Sequence, residues 1–307
     1  MAEPGDKRTD LTALTGLNEK TLAEIERLQL RVRDVVAGTF AGVHRSRRHG
    51  SSIEFSEHKV YAPGDDIRRI NWRAYAKTDR YHIKRFEDET NVVVELLVDS
   101  SGSMGFVSET GGEKLAYARV LAGALAYVAL RQGDAVGLTA LNEAPGERLA
   151  VRSHTGQLFD LMARLNDLRA AGPTAIARRL NEVGAQTQRR AFFVIVTDLF
   201  DPDPKLLDAF QLLKARRHDV AVLHLLAPEE LTFPYENPAT FASMEDSRRL
   251  FLHPRTIRTR FVKQMNEYVA HMERSLRVAQ VEYLRVVTSE EPAQVLATFL
   301  NNYGRRD

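Results

Sequence analysis

Asp99, Ser101 and Ser103 stand in D-x-S-x-S spacing within "VELLVDSSGSMGF" (94–106). Thr174 follows much later in "AAGPTAIA", and Asp198 closes "AFFVIVTD". All five side chains offer oxygen, and none offers nitrogen or sulfur. Such a donor set suits a hard divalent cation, Mg²⁺ first, with Mn²⁺ or Ca²⁺ also compatible. Mg²⁺ takes about six oxygens in octahedral geometry and commonly keeps several waters. Three hydroxyls and two carboxylates therefore leave a position for an outside ligand. Each residue alone also has a local reading, because Asp, Ser and Thr are frequent helix N-caps and Thr174 stands just before a helical pattern.

The elements that must position these residues alternate along the chain. Val92–Val98 and Ala191–Asp198 read as buried strands, each ending in an aspartate. Further strands are expected over Ala135–Leu141, Val220–Leu226 and Val281–Val287, with Arg148–Arg152 as an antiparallel hairpin partner. Helical spacing covers Glu113–Arg131, Gln157–Leu168, Ala175–Gln188, Pro204–Arg217, Arg255–Ala279 and Pro292–Tyr303. Alternation of this kind implies crossover connections and a mostly parallel sheet covered on both faces. Ligand sites of open parallel sheets lie at the carboxyl ends of the strands, the edge that Asp99 and Asp198 both reach. The loop 228–256 is long for a connection and reads either as functional or as a β-hairpin covering the sheet edge.

Upstream the character differs. Residues 1–17 read as a disordered N-terminus, and a helix is expected from Asn18 to Val36. Segments 53–62 and 81–87 read as strands, the first closed by a Pro63-Gly64 turn. Residues 18–90 thus form a helix plus a small β-rich region, and 91–307 the α/β domain. Basic residues crowd 44–88, but acids are interleaved with them, which favours a solvated face or a protein partner over nucleic acid. Net charge is +2 and cysteine is absent, which excludes disulfides, thiolate metal sites and a cysteine nucleophile. The polar N-terminus and the lack of any run of about 18 apolar residues point to a cytoplasmic protein without membrane insertion.

"DSSGSM" (99–104), Thr174 and "TD" (197–198) resemble the metal-ion-dependent adhesion site of von Willebrand factor A-like domains. The resemblance implies a doubly wound, Rossmann-type sheet of about six strands. It also implies that Ser101, Ser103 and sometimes Thr174 touch the metal, that Asp99 and Asp198 hold it mostly through water, and that a partner's acidic side chain completes the shell. Leu199 departs from this pattern, since a glycine often follows the aspartate. The segment "GSSIEFSEHKVYAPGDDIRRINWRAYAKTDRYHIKRFEDE" resembles the signature of the bacterial domain-of-unknown-function 58 family, with Asn71 where that family often has Asp. That resemblance covers the chain from about residue 38 onward. It implies a partner or co-chaperone role beside a MoxR-type AAA+ ATPase. Within the signature, Trp72 reads as a buried anchor. Arg68, Arg69 and Arg73 read either as partners of Asp65 and Asp66 in a structural junction or as a partner-binding surface.

The residues thus point to a non-enzymatic, metal-dependent protein-binding module. The alternative is a metal-assisted phosphohydrolase using Asp99 and Asp198. Against it, the sequence shows no P-loop, no H-E-x-x-H and no lysine evidently placed to neutralise charge at the site.

Overall fold

A computed structural model of the chain describes residues 92–303 apart from 144–147, 155 and 202, together with Arg27, Leu28, Leu30, Lys59, Val60, His82 and Ile83. The chain divides into two compact units, 44–91 and the remainder. In the first, Lys59–Val60 pairs antiparallel with His82–Ile83, inside the two segments expected as strands. Arg68, Arg69, Arg73, Trp72 and the Pro-Gly turn lie outside the described residues, as does the N-terminal segment 1–17. Of the helix expected over 18–36, Arg27, Leu28 and Leu30 are helical, with Leu28 buried and Leu30 exposed.

The second unit is built on strands β1 (Val93–Val98), β2 (Ala135–Ala140), β3 (Leu149–Arg152), β4 (Phe192–Thr197) and β5 (Asp219–Leu226). Helices α1 (Lys114–Arg131), α2 (Gln157–Asp167), α3 (Ile176–Gln186) and α4 (Leu206–Ala215) connect them. The chain continues through α5 (Pro228–Thr232), β6 (Ala239–Ala242), β7 (Arg249–Leu252) and α6 (Pro254–Val278). It closes with β8 (Glu282–Val287) and α7 (Pro292–Tyr303). The central sheet has six strands in the order β8-β5-β4-β1-β2-β3. All its pairings are parallel except that of β3, which runs antiparallel to β2 at the edge, as the sequence led us to expect. The architecture is the doubly wound α/β fold read from the sequence.

Side chains alternate across the sheet, and both faces are buried. Val94, Leu96 and Val98 of β1 and Phe192, Val194 and Val196 of β4 enter one core with α1, α2 and α7. Leu97, Phe193 and Ile195 enter the other with α3, α4 and α6. Such strands show as continuous apolar runs. Helix α1 is buried on most of its circumference because α2 and α7 flank it on the sheet. Glu95, the one acid within β1, is buried and paired with Arg148.

The strand order reverses between β1 and β4. The chain moves outward through β2 and β3, then returns to lay β4 on the other side of β1. This is the topological switch point, where the carboxyl ends of adjacent strands open a crevice. The loop 228–256 holds a hairpin, β6–β7, which forms a two-stranded sheet of its own. It pairs with no strand of the central sheet, so it does not extend a sheet edge.

Candidate functional site

Asp99 follows β1 and Asp198 follows β4, so the two aspartates flank the switch point. The Asp99 N–H donates to the Val196 carbonyl at 2.8 Å, fixing one strand end against the other. Both carboxylates are buried. Asp99 Oδ1 accepts the Ser101 N–H at 2.9 Å, and its Oδ2 accepts the Thr197 hydroxyl at 2.6 Å. Burial, then the charge of Asp198, pushes the Asp99 carboxyl up to about 7 against those hydrogen bonds.

After Asp99 the chain enters a short 3₁₀ turn, Gly102–Gly105. The Ser101 and Ser103 hydroxyls lie 3.1 Å apart. Two neighbouring oxygens on an Mg²⁺ octahedron lie about 2.9 Å apart, given bonds of about 2.0–2.1 Å. The loop bearing Thr174 is tied to this turn: the Gly102 N–H donates to the Gly172 carbonyl at 2.8 Å, and the Ala171 N–H to the Ser100 carbonyl at 3.0 Å. Gly172 adopts φ +71° with open space where a Cβ would stand. Gly172→Ala is therefore expected to cost about 1–2 kcal/mol through backbone strain alone, read from urea denaturation.

Thr174 does not cap the following helix. The N-cap of α3 is Ala175, and no side chain caps it there. The carboxylate of Asp201 instead accepts the Ala177 N–H at 3.2 Å. The Thr174 Oγ1 is buried and has no hydrogen-bond partner. A buried hydroxyl without a partner costs about 1–3 kcal/mol, so this atom points to a missing ligand.

One expectation requires correction. A lysine does stand at the site. Lys114, the first residue of α1, is fully buried, and its Nζ lies 2.7 Å from Asp198 Oδ2 and 2.7 Å from Glu230 Oε1. Burial works against the ammonium, but Asp198 and Glu230 outweigh it and hold its pKa above the ordinary lysine value. Sequence reasoning also missed Glu230 and His224, and it quoted Thr197 within its motif without giving it a role. Burial pushes His224 down to about 4. The neutral ring donates Nε2–H to the Asp198 carbonyl at 2.9 Å, and its Nδ1 accepts the Tyr283 hydroxyl at 2.7 Å. The only available signal for Lys114 was a lone lysine opening a largely apolar, alanine-rich helix.

Leu199 adopts φ +59°, a left-handed conformation favouring glycine, while its side chain is fully buried in the second core. Its N–H donates to Thr197 Oγ1 at 2.9 Å, and its carbonyl accepts the Tyr268 hydroxyl at 2.5 Å. The unusual residue at this position therefore keeps the glycine-like backbone and anchors it by packing.

A family model described as "Protein of unknown function DUF58" matches residues 57–271. The chain belongs to the DUF58 family. This DUF58 chain is 24% identical over 279 residues to Uncharacterized protein Mb1516 of Mycobacterium bovis and to Uncharacterized protein Rv1480 of Mycobacterium tuberculosis, covering 89% of this chain and 86% of each relative. Similar solved structures include the conserved hypothetical protein BatB of Bacteroides thetaiotaomicron, at 16% identity and a TM-score of 0.44 over 70% of this chain and 99% of that one. An aerotolerance-related membrane protein of Bacteroides fragilis gives 17% and 0.44 over 69% and 99%. A von Willebrand factor type A structure from Catenulispora acidiphila gives 19% and 0.34 over 44% and 33%. The cytoplasmic assignment made from the sequence is withdrawn, because a similar structure comes from a protein described as a membrane protein. Among the described residues, no helix is long and apolar enough to cross a membrane, and that fact assigns no compartment.

Proposed function

We propose that this DUF58 protein is a non-enzymatic, divalent-metal-dependent protein-binding module that works with a MoxR-type AAA+ ATPase. The observation that carries the reading is the buried, partnerless Thr174 Oγ1 beside the serine turn at the switch point. Ser101, Ser103 and Thr174 would hold Mg²⁺, with Asp99 and Asp198 beside it. The charge balance supports this: Asp198 and Glu230 share a single ammonium, Lys114, and the charge of Asp198 also acts on the Asp99 carboxyl, so a further positive charge is favoured. Among the described residues no group of three or more His, Cys, Asp or Glu could hold a metal. The proposed donor set differs in kind, since three of its five members are hydroxyls. When bound, the cation would supply an electrophilic position for a carboxylate of a partner. The family signature upstream of the α/β domain supports the ATPase as that partner.

Thr174→Val tests the metal reading. Calorimetric titration with Mg²⁺ should show affinity weakened about 10–100-fold with folding stability unimpaired, since the lost hydroxyl had no partner. An unchanged isotherm would count against the site. For the partner, capture of the purified ATPase should need Mg²⁺ and fail for Asp99→Ala; equal capture in EDTA would remove the metal from the interaction.

One observation favours the phosphohydrolase alternative, the charge-neutralising Lys114. Both Asp99 oxygens already accept hydrogen bonds, however, and the group is fully buried, which leaves it poorly placed as a nucleophile. Turnover of a phosphate ester abolished by Asp99→Ala would restore that alternative.

A further inference from the structure

The β6–β7 hairpin is fastened through β6 and reaches the site with its tip. Within β6, Phe241 stacks on Phe233 with ring centroids 5.6 Å apart, and Phe233 packs on Phe261 of α6 at 4.4 Å. The tip is a closed turn. The Ser243 N–H donates to the Arg248 carbonyl at 2.8 Å, and the Arg248 N–H to Asp246 Oδ1 at 2.9 Å. The Met244 backbone lies directly over Gly102, between Ser101 and Ser103: a Cβ at Gly102 would stand 2.6 Å from the Met244 carbonyl carbon and 3.2 Å from the Glu245 nitrogen. Glycine at 102 is thus required for the tip to seat.

Seating the tip carries Glu245 inward. Most of the hairpin is exposed, with Leu250 at 60% and Phe251 at 62%, yet Glu245 is half-buried and its Oε1 is buried with no hydrogen-bond partner. Burial raises the Glu245 pKa. The Ser103 hydroxyl, the Thr174 N–H and the Ser103 N–H lie near enough to draw it back, though none meets Oε1 in hydrogen-bond geometry, and the charge of Asp198 acts on it in the raising sense. The groups that surround this carboxyl are therefore those proposed above to surround the cation. Two buried oxygens without partners, Thr174 Oγ1 and Glu245 Oε1, belong to the same corner of the molecule.

We propose that Glu245 is the protein's own ligand for the cation position, so that the β6–β7 hairpin closes the site against an acidic side chain from outside. The inference rests on the metal reading and gives it a further step: a partner carboxylate must displace Glu245, and the tip must lift off Gly102 when it does.

The experiment uses the full chain, with Mg²⁺ alone as the probe. Mg²⁺ binding is measured by calorimetry, and hairpin opening by the rate of tryptic cleavage after the exposed Arg248 and Arg249. Wild type should bind Mg²⁺ and be cleaved more slowly in its presence. Glu245→Gln should bind about 10–100-fold more weakly and be cleaved at a rate that Mg²⁺ leaves unchanged. Gly102→Ala keeps Glu245 but pushes the tip outward, and should behave as Glu245→Gln does. Wild-type Mg²⁺ binding with equal binding by Glu245→Gln and no protection of the hairpin would overturn the inference and leave the metal reading standing. No Mg²⁺ binding by either protein would overturn both.

Discussion

Lys114→Met should destabilise the protein by about 3–5 kcal/mol at neutral pH, the typical result of removing one member of a buried ion pair. The side chain is fully buried and its two partners are 1% and 15% exposed. Methionine fills much the same volume, so packing loss is small and the effect is electrostatic. What remains is Asp198 and Glu230 facing each other without their cation. The Phe200 ring, 5.3 Å from Nζ, loses a cation–π contact as well. Acid should narrow the deficit, since burial already raises the Glu230 pKa while Lys114 lowers it. Urea denaturation of wild type and variant at neutral and mildly acidic pH measures this. A loss below about 1 kcal/mol, a value ordinary for exposed pairs, would show that the triad is not the compensated unit described.

Mg²⁺ affinity should rise about 100-fold between about pH 5 and about pH 8 and then level off, because the cation must displace the Asp99 proton. Asp99 is held up at about 7 by burial and by Asp198. Its folded pKa therefore exceeds its unfolded value. Between about pH 4 and about pH 7 the native state carries the extra proton, so metal-free stability falls as pH rises through that window. The shift corresponds to on the order of 4 kcal/mol. Glu95, Glu230 and Glu245 are also raised, each first by burial, and slope the same way. The Asp99 share is isolated as the difference from Asp99→Asn, measured in EDTA across the pH series. Thr197, Ser101, Asp198, Lys114 and Glu245 stay in place in both proteins. A wild-type profile parallel to that of Asp99→Asn, with Mg²⁺ binding indifferent to pH, would refute the assignment of this proton to Asp99.

The two strands that deliver the aspartates were legible because parallel strands buried on both faces read as apolar runs, and both runs end in a charge at the switch point. The edge strand β3 was legible from its hairpin turn. The hairpin β6–β7 was half legible: a hairpin was one of two readings of the long loop 228–256, and its mostly exposed strands carry no alternation to decide between them. Lys114 and Glu230 escaped for a different reason. The lysine meets Asp198 across 84 positions and Glu230 across 116, and no local spacing encodes a contact of that range. Glu245 belongs to the same class: its placement depends on Gly102 lacking a side chain beneath Met244.

Leu199 has a consequence for the entropy of binding. Its side chain is sunk in the second core while its backbone stays left-handed, so the Asp198 backbone, one residue earlier, cannot shift unless a leucine is pulled from that core, and Lys114 at 2.7 Å holds the carboxylate itself. Immobilising a rotamer-rich side chain on association usually costs about 0.5–1.5 kcal/mol. At Asp198 that ordering is already complete when the chain folds. An incoming ligand meets a preorganised carboxylate on this wall of the crevice, and the freedom it must quench lies in the hairpin opposite.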